Sequence, residues 1–221
     1  MVVVGEKIQT QSSAQGDQKM RTAEINEWFK EGGDLPEDLT KEEKEYLKEL
    51  GWEVSENWLA NGQRFYVRNF LNGQKHGKWE DWFANGQRSY VGNWLNGKAH
   101  GKWEKWFENG QRFCVGSYLN GQKHGKWENW HENGQRFYVH NYLNGQKNGK
   151  WENWHENGQR FYVRNWLNGQ KHGKWEDWFA NGQRTYEMSF IHGMSHSTRK
   201  EWNSNGELTL HEEYYYGNKI E

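Results

Sequence analysis

Asn-Gly stands at residues 61, 85, 109, 133, 157, 181 and 205, a spacing of 24 residues kept without insertion through most of the chain. A second turn pair follows each after 11 residues: Asn72, Asn96, Asn120, Asn144 and Asn168, each followed by Gly, then His192-Gly193 and Tyr216-Gly217. Asn-Gly is the strongest short-range hairpin signal, because both central residues of a type I′ turn need positive φ. Turns alternating every 11 and 13 residues specify strand, turn, strand, turn over about seven repeats. A fixed period of this kind outranks other sequence signals for architecture. The expected fold is all-β: an elongated repeat array of antiparallel β-hairpins forming a single meandering, twisted sheet, preceded by a short helical segment.

The composition suits an array better than a globule. Apolar residues make up only 33% of the 221, yet aromatics reach 17%, with 16 Trp. Burial must therefore come from rings, which each repeat can bury against its neighbours. With 29 basic and 30 acidic residues the formal charge is −1. That balance gives no electrostatic footprint for nucleic acid or an anionic membrane surface. A single cysteine excludes an intrachain disulfide framework and fits a reducing compartment. From Met1 to Met20 the only apolar run is Val2-Val3-Val4, too short for a signal peptide or a transmembrane span. A soluble, intracellular protein is expected.

Three segments follow. Residues 1–20 are polar and are expected to stay disordered unless a partner holds them. Residues 21–54 read as two short helices capping the array. Thr22 caps the first, Ile25, Trp28 and Phe29 form its apolar stripe, and Gly32-Gly33 end it. Thr40 with Glu43 forms a capping box for the second, whose apolar residues are Tyr46, Leu47 and Leu50 and which Gly51 stops. Such short helices should dock, and the open end of the array near Trp58 is the expected place. Residues 55–221 form the array.

If both turns are two-residue hairpins, register is arithmetic. Trp79 then faces Gly92 and Gly77 faces Trp94, so that a ring covers the backbone a glycine exposes. Tyr66, Phe70, Gly77, Trp79, Phe83, Tyr90 and Trp94 share one face. Phe65, Val67, Leu71, Lys78, Glu80 and Trp82 share the other. The first face is a structural ring ladder, continued by Trp103, Tyr118, Trp127, Tyr142, Trp151, Trp166 and Trp175. The last repeats decay: Ser197-Thr198-Arg199-Lys200 replaces Gly-Lys-Trp-Glu, and His211-Glu212-Glu213 brings charge into the final strand. Charge on an edge strand blocks end-to-end pairing, so this end reads as a cap.

The run Tyr90-Val91-Gly92-Asn93-Trp94, followed by Asn96-Gly97-Lys98-Ala99-His100-Gly101, resembles the MORN repeat, whose pattern is Tyr-x-Gly-x-Trp and then Gly-Lys-x-x-Gly-x-Gly. The half Gly-Lys-Trp-Glu-x-Trp-Phe-x-Asn-Gly is more similar to the MORN-variant repeat of YwqK-like antitoxin-type proteins, with Trp79, Trp103, Trp127, Trp151 and Trp175 in place of the second Gly. The resemblance covers roughly Ser55 to Glu221. The Gly of Tyr-x-Gly-x-Trp survives at Gly92 and Gly116 and becomes Arg68, His140, Arg164, Met188 and Glu212 elsewhere. The resemblance implies an elongated sheet serving as a scaffold or protein-binding surface, similar to tandems abundant in protists and giant DNA viruses.

Candidate chemistry meets plain structural readings. His76, His100, His124 and His172 recur at one position, but equivalent residues lie two strands, about 10 Å, apart, whereas zinc holds each nitrogen at about 2.0–2.1 Å. They read as turn residues preceding the Gly that opens a strand, and His131 and His155 fail by the same distance. Glu80, Glu104, Glu128, Glu152 and Glu176 form a carboxylate column, but glycoside chemistry needs two carboxylates in different environments. Lys78 and its equivalents make cross-strand charge balance the better reading. Cys114 stands where Tyr66, Tyr90, Tyr138 and Tyr162 stand, a small substitute in the ladder. Arg64, Arg88, Arg112, Arg136, Arg160 and Arg184 among aromatics would suit single-stranded nucleic acid, but the Glu column cancels their field. No catalytic residue, cofactor or metal is expected.

The resulting expectation is a non-enzymatic scaffold binding other proteins, or a second copy, through the sheet, as a component of an assembly such as a virion or a cytoskeletal structure. Two alternatives stand beside it: an antitoxin or immunity-type regulator that occludes a toxin, and a carbohydrate or lipid-headgroup binder, for which the charge gives no support. The candidate partner surface lies opposite the ladder. There Phe113, Phe137 and Phe161 are expected directly across from Trp106, Trp130 and Trp154, with Val115, Val139 and Val163 beside them. Together they would form an apolar stripe larger than a monomer usually exposes.

Overall fold

The computed structural model describes residues 39–220. The leader at 1–20 and the helix expected from Thr22 to Gly33 lie outside the described residues. The second helix forms over Lys41–Glu49. Its capping box is complete: Glu43 N–H donates to the Thr40 hydroxyl at 3.2 Å and Thr40 N–H to the Glu43 carboxylate at 2.7 Å. Gly51, at φ 83°, ends it. Docking differs from expectation. Leu47 packs on Trp52, with Leu39 and Leu71 around them, while Trp58 stays 49% exposed. Only Leu50 and Gly51 separate helix from strand, so Leu47 reaches the near end of the first strand and not the far one. That strand, Trp52–Trp58, begins three residues before the expected start of the array.

Sixteen strands form one open antiparallel sheet. Fifteen follow one another in sequence order, and the short Gln146–Lys147 pairs only with Arg136–Leu143. The two turn series differ. The series at Asn72, Asn96, Asn120, Asn144 and Asn168 has positive φ at both central residues, as at Asn96 (48°) and Gly97 (76°), the type I′ geometry. In the other series only the Gly is positive, as at Gly110 (82°). Phe107 N–H donates to the Gln111 carbonyl at 2.8 Å and Gly110 N–H to the Phe107 carbonyl at 3.0 Å. These are three-residue loops, a type I turn closed by a left-handed Gly, and not the expected two-residue turns. The Asn side chain selects them: Asn109 Oδ1 accepts from Gln111 N–H at 2.9 Å, an Asx arrangement that favours this turn. Its Nδ2 donates onward to the Glu132 carbonyl of the next loop.

The extra loop residue is cancelled by an extra strand residue. Trp106 pairs with Arg112, but Lys105 pairs with Cys114, leaving Phe113 unpaired in a β-bulge. The same bulge skips Phe65, Ser89, Phe137, Phe161, Thr185 and Thr209. The interior register therefore comes out as expected, with Trp79 opposite Gly92 and Gly77 opposite Trp94. A second bulge interrupts the other hairpin. Gly92 pairs with Trp103 and Asn93 with His100, so Gly101 and Lys102 are extra. Gly101 (φ 68°) bends the chain there; it sits inside a strand and does not open one. The bulge frees a carbonyl, and the next indole caps it: Trp79 Nε1 donates to Asn69 O at 2.8 Å, and Trp127, Trp151 and Trp175 repeat the bond ten residues back from each. This explains why Trp, and not Phe, recurs at that position.

Candidate functional site

On the ladder face one row runs Arg68, Trp79, Gly92, Trp103, Gly116 across the sheet, each opposite the next. The variable residue two after each Tyr lies between that Tyr and the Trp thirteen residues on. Arg68 lies over Tyr66 at 4.3 Å and Trp79 at 5.2 Å, and Arg164 over Tyr162 at 4.2 Å and Trp175 at 4.9 Å. His140 is stacked between Tyr138 at 4.1 Å and Trp151 at 3.8 Å. At Gly92 the nearest cover comes from Tyr90 and Trp103, not from Trp79 as expected; at Gly116 it comes from Trp127. The slot's cross-strand partner matches its occupant. Arg68 pairs with Asp81 at 3.2 Å and Arg164 with Asp177 at 2.8 Å, whereas His140 meets Asn153 at 2.6 Å. Burial lowers the His140 pKa to about 4, partly offset by the Asn153 hydrogen bond. Burial also pushes the phenols of Tyr90 and Tyr138 well above their usual range.

A lysine column, absent from the sequence reading, lies over the same rings. Lys75 sits over Trp79 at 4.6 Å and Trp94 at 4.2 Å, Lys123 over Trp127 at 4.4 Å and Tyr142 at 5.1 Å. Lys147 covers Trp151 and Trp166, and Lys171 covers Trp175 and Phe190. The signal was there as a spacing, Lys at k with rings at k+4 and k+19, broken by Ala99 and again by Ser195 in the decayed last repeat.

The opposite face is charged and apolar by turns. Glu80, Val91, Glu104, Val115, Glu128 and Val139 form one cross-strand row. Each Glu is held by a Lys two residues before it and an Arg on the next strand: Lys102 at 2.9 Å and Arg112 at 3.7 Å hold Glu104. Val139 and Val163 are buried, and Trp106, Trp130 and Trp154 are half-buried opposite Arg112, Arg136 and Arg160. Phe113, Phe137 and Phe161 project from the bulges, 37%, 40% and 44% exposed. Their ring neighbours are Phe107, His131 and His155 at 5.1, 4.8 and 4.8 Å, with the ladder residues Tyr138 and Tyr162 5.5 Å from Phe137 and Phe161, and not the tryptophans expected across from them. The bulge shifts each Phe past its Trp. It also sets the bulge position beside the ladder and not opposite it as expected: Ser89 lines a groove with Tyr90, Trp94 and Trp103, and Thr185 one with Tyr186 and Trp175.

The recurring histidines tie neighbouring repeats. Asn96 N–H donates to His76 Nδ1 at 3.4 Å and Asn120 N–H to His100 Nδ1 at 3.5 Å. Among the described residues no three His, Cys, Asp or Glu side chains converge as a metal site would need, and no helix is long and apolar enough to cross a membrane. Cys114 is buried in the ladder, and burial raises its thiol pKa.

A family model described as the MORN repeat variant matches four consecutive segments, residues 99–120, 123–144, 147–168 and 171–192. No curated protein matches the chain.

Proposed function

Because the chain is a MORN-repeat protein, a class found in structural and interaction proteins, we propose that it is a non-enzymatic scaffold that binds a partner protein along the face carrying Phe113, Phe137 and Phe161. The observation that carries this reading is the row of bulge phenylalanines. Each is over a third exposed and adds little to the fold, since Ser89, Thr185 and Thr209 fill the same bulge elsewhere. Aromatic residues in a regular exposed row are the composition of interface cores.

The test replaces Phe113, Phe137 and Phe161 together with Thr. Exposed substitutions at bulges should lower stability by about 1.5 kcal/mol or less in all. Loss of the proteins that co-purify with the native chain, with the fold intact by circular dichroism, is the expected result. Unchanged co-purification and an unchanged oligomeric state would remove this face from consideration.

A further inference from the structure

Along the bulge row Ser89 stands between Phe65 and Phe113, which are 44% and 37% exposed one repeat to either side of it. At this gap a groove of about 510 Å³ opens over the rings of Tyr90, Trp94 and Trp103, rimmed by Arg68, Lys75, Asp81 and Lys105. Three cations against one carboxylate give it a surplus of two positive charges. The corresponding groove four repeats on sets Arg164 and Lys171 against Asp177 and Glu201, and has no surplus. The formal charge of −1 for the whole chain conceals this local excess.

Lys105 makes the difference. Its position holds Asp81, Asn129, Asn153, Asp177 or Glu201 in the other repeats. Asp81, Asn153 and Asp177 each bond the slot residue thirteen places before them. For Lys105 that residue is Gly92, which offers no side chain. Lys105 is exposed, and its ammonium has no hydrogen bond or ion pair among the described residues. Lys75 lies over Trp79 and Trp94 at 4.6 and 4.2 Å and likewise has no carboxylate beside it. Asp81, the one acid on the rim, is taken by Arg68 at 3.2 Å. We propose that this groove binds the carboxylate side chains of an acidic segment on a partner protein.

Charge complementarity identifies the ligand. Ammonium groups beside apolar rings attract a carboxylate more strongly than they would in open water, because the rings lower the local dielectric. Further along the ladder face Lys123, Lys147 and Lys171 also make no ion pair among the described residues, so an extended acidic segment meets one sign of charge along the row. Phe65 and Phe113 on either side of the gap supply aromatic anchors to the same segment. The proposal deepens the reading of the phenylalanine row as a partner face and rests on it for the class of ligand.

The experiment uses the full chain, ¹⁵N-labelled at tryptophan, titrated with Nα-acetyl-triglutamate amide. Saturable displacement of the Trp94 and Trp103 indole resonances is expected, weakening as salt is added, while the Trp175 indole stays fixed. Lys105→Asp gives the groove the charge of its counterpart and should weaken the titration about tenfold or more. Glu201→Lys does the reverse and should make the Trp175 indole respond. The probe carries no apolar group to meet the row, so Phe113→Thr, Phe137→Thr and Phe161→Thr together should leave the response as it is. Failure of the row and failure of the groove are thereby told apart. An unchanged response in K105D, equal displacement of all indoles, or no saturable displacement in the native chain would overturn the proposal. So would tighter binding of tetrathymidylate than of the glutamate peptide, since the groove would then prefer a nucleic-acid backbone.

Discussion

His140 is a neutral imidazole pressed between two rings where Arg68 and Arg164 are charged. Its folded pKa is lowered from 6.5 to about 4 by burial, so the unfolded chain binds the proton first. The associated stability is fully present above pH 6.5 and is lost as pH falls from 6.5 towards 4, by up to roughly 3 kcal/mol. The pair H140R with N153D reproduces the Arg164–Asp177 arrangement, and its stability curve should lack this slope between pH 6.5 and 4. Denaturant unfolding at half-unit steps of pH, native against variant, reads the difference; parallel curves would refute it. Cys114 offers a second check at this scale. Buried, with its thiol pKa raised, it should resist alkylation until its repeat opens.

At the scale of turn and strand, the two loop types respond differently to substitution. Asn96 sits at φ 48°, so Asn96→Ala should cost about 1–2 kcal/mol, most of which Asn96→Gly restores. Asn109 has a side chain that bonds its own loop and the next, so Asn109→Ala and Asn109→Gly should cost similar amounts, about 1 kcal/mol. Midpoints of urea unfolding would separate the two patterns. Much of this architecture was legible in the sequence, because Asn-Gly encodes backbone torsion directly and the 24-residue period repeats it in register. The bulge at Phe113 was not. A three-residue loop with one extra strand residue leaves the same interior pairs as a two-residue loop with none, so Trp79 opposite Gly92 fits either. Only Phe107, which packs on Phe113, distinguishes them. The lysine column escaped notice because Lys75 and Lys147 resemble surface charge until the rings they cover are known. The sequence pattern grouped Val139 and Val163 with the phenylalanines, but burial, which a pattern does not report, removes both from any exposed stripe.

Across the described residues, every substantial contact joins elements adjacent in sequence, apart from Arg136–Leu143 with Gly149–Trp154, which only the short Gln146–Lys147 separates, so coupling should be local. Trp151→Ala should cost roughly 3–5 kcal/mol and Trp103→Ala less, because Trp103 is only half-buried. In either variant hydrogen exchange should quicken near the lesion while distant repeats keep their protection; uniform loss would contradict the one-dimensional description. Fifteen strands at roughly 4.8 Å extend on the order of 70 Å, against a radius of gyration near 17 Å for a globule of this length. A skewed pair-distance distribution in small-angle scattering is expected, and a symmetric one would exclude the elongated sheet. The open topology has a mechanical side as well. The first and last described strands are opposite edges of the sheet, so tension between them acts along the inter-strand hydrogen bonds and loads them in succession rather than together. Such a sheet unzips hairpin by hairpin under load, each 24-residue repeat releasing about 80 Å of chain, and so behaves as an extensible tether.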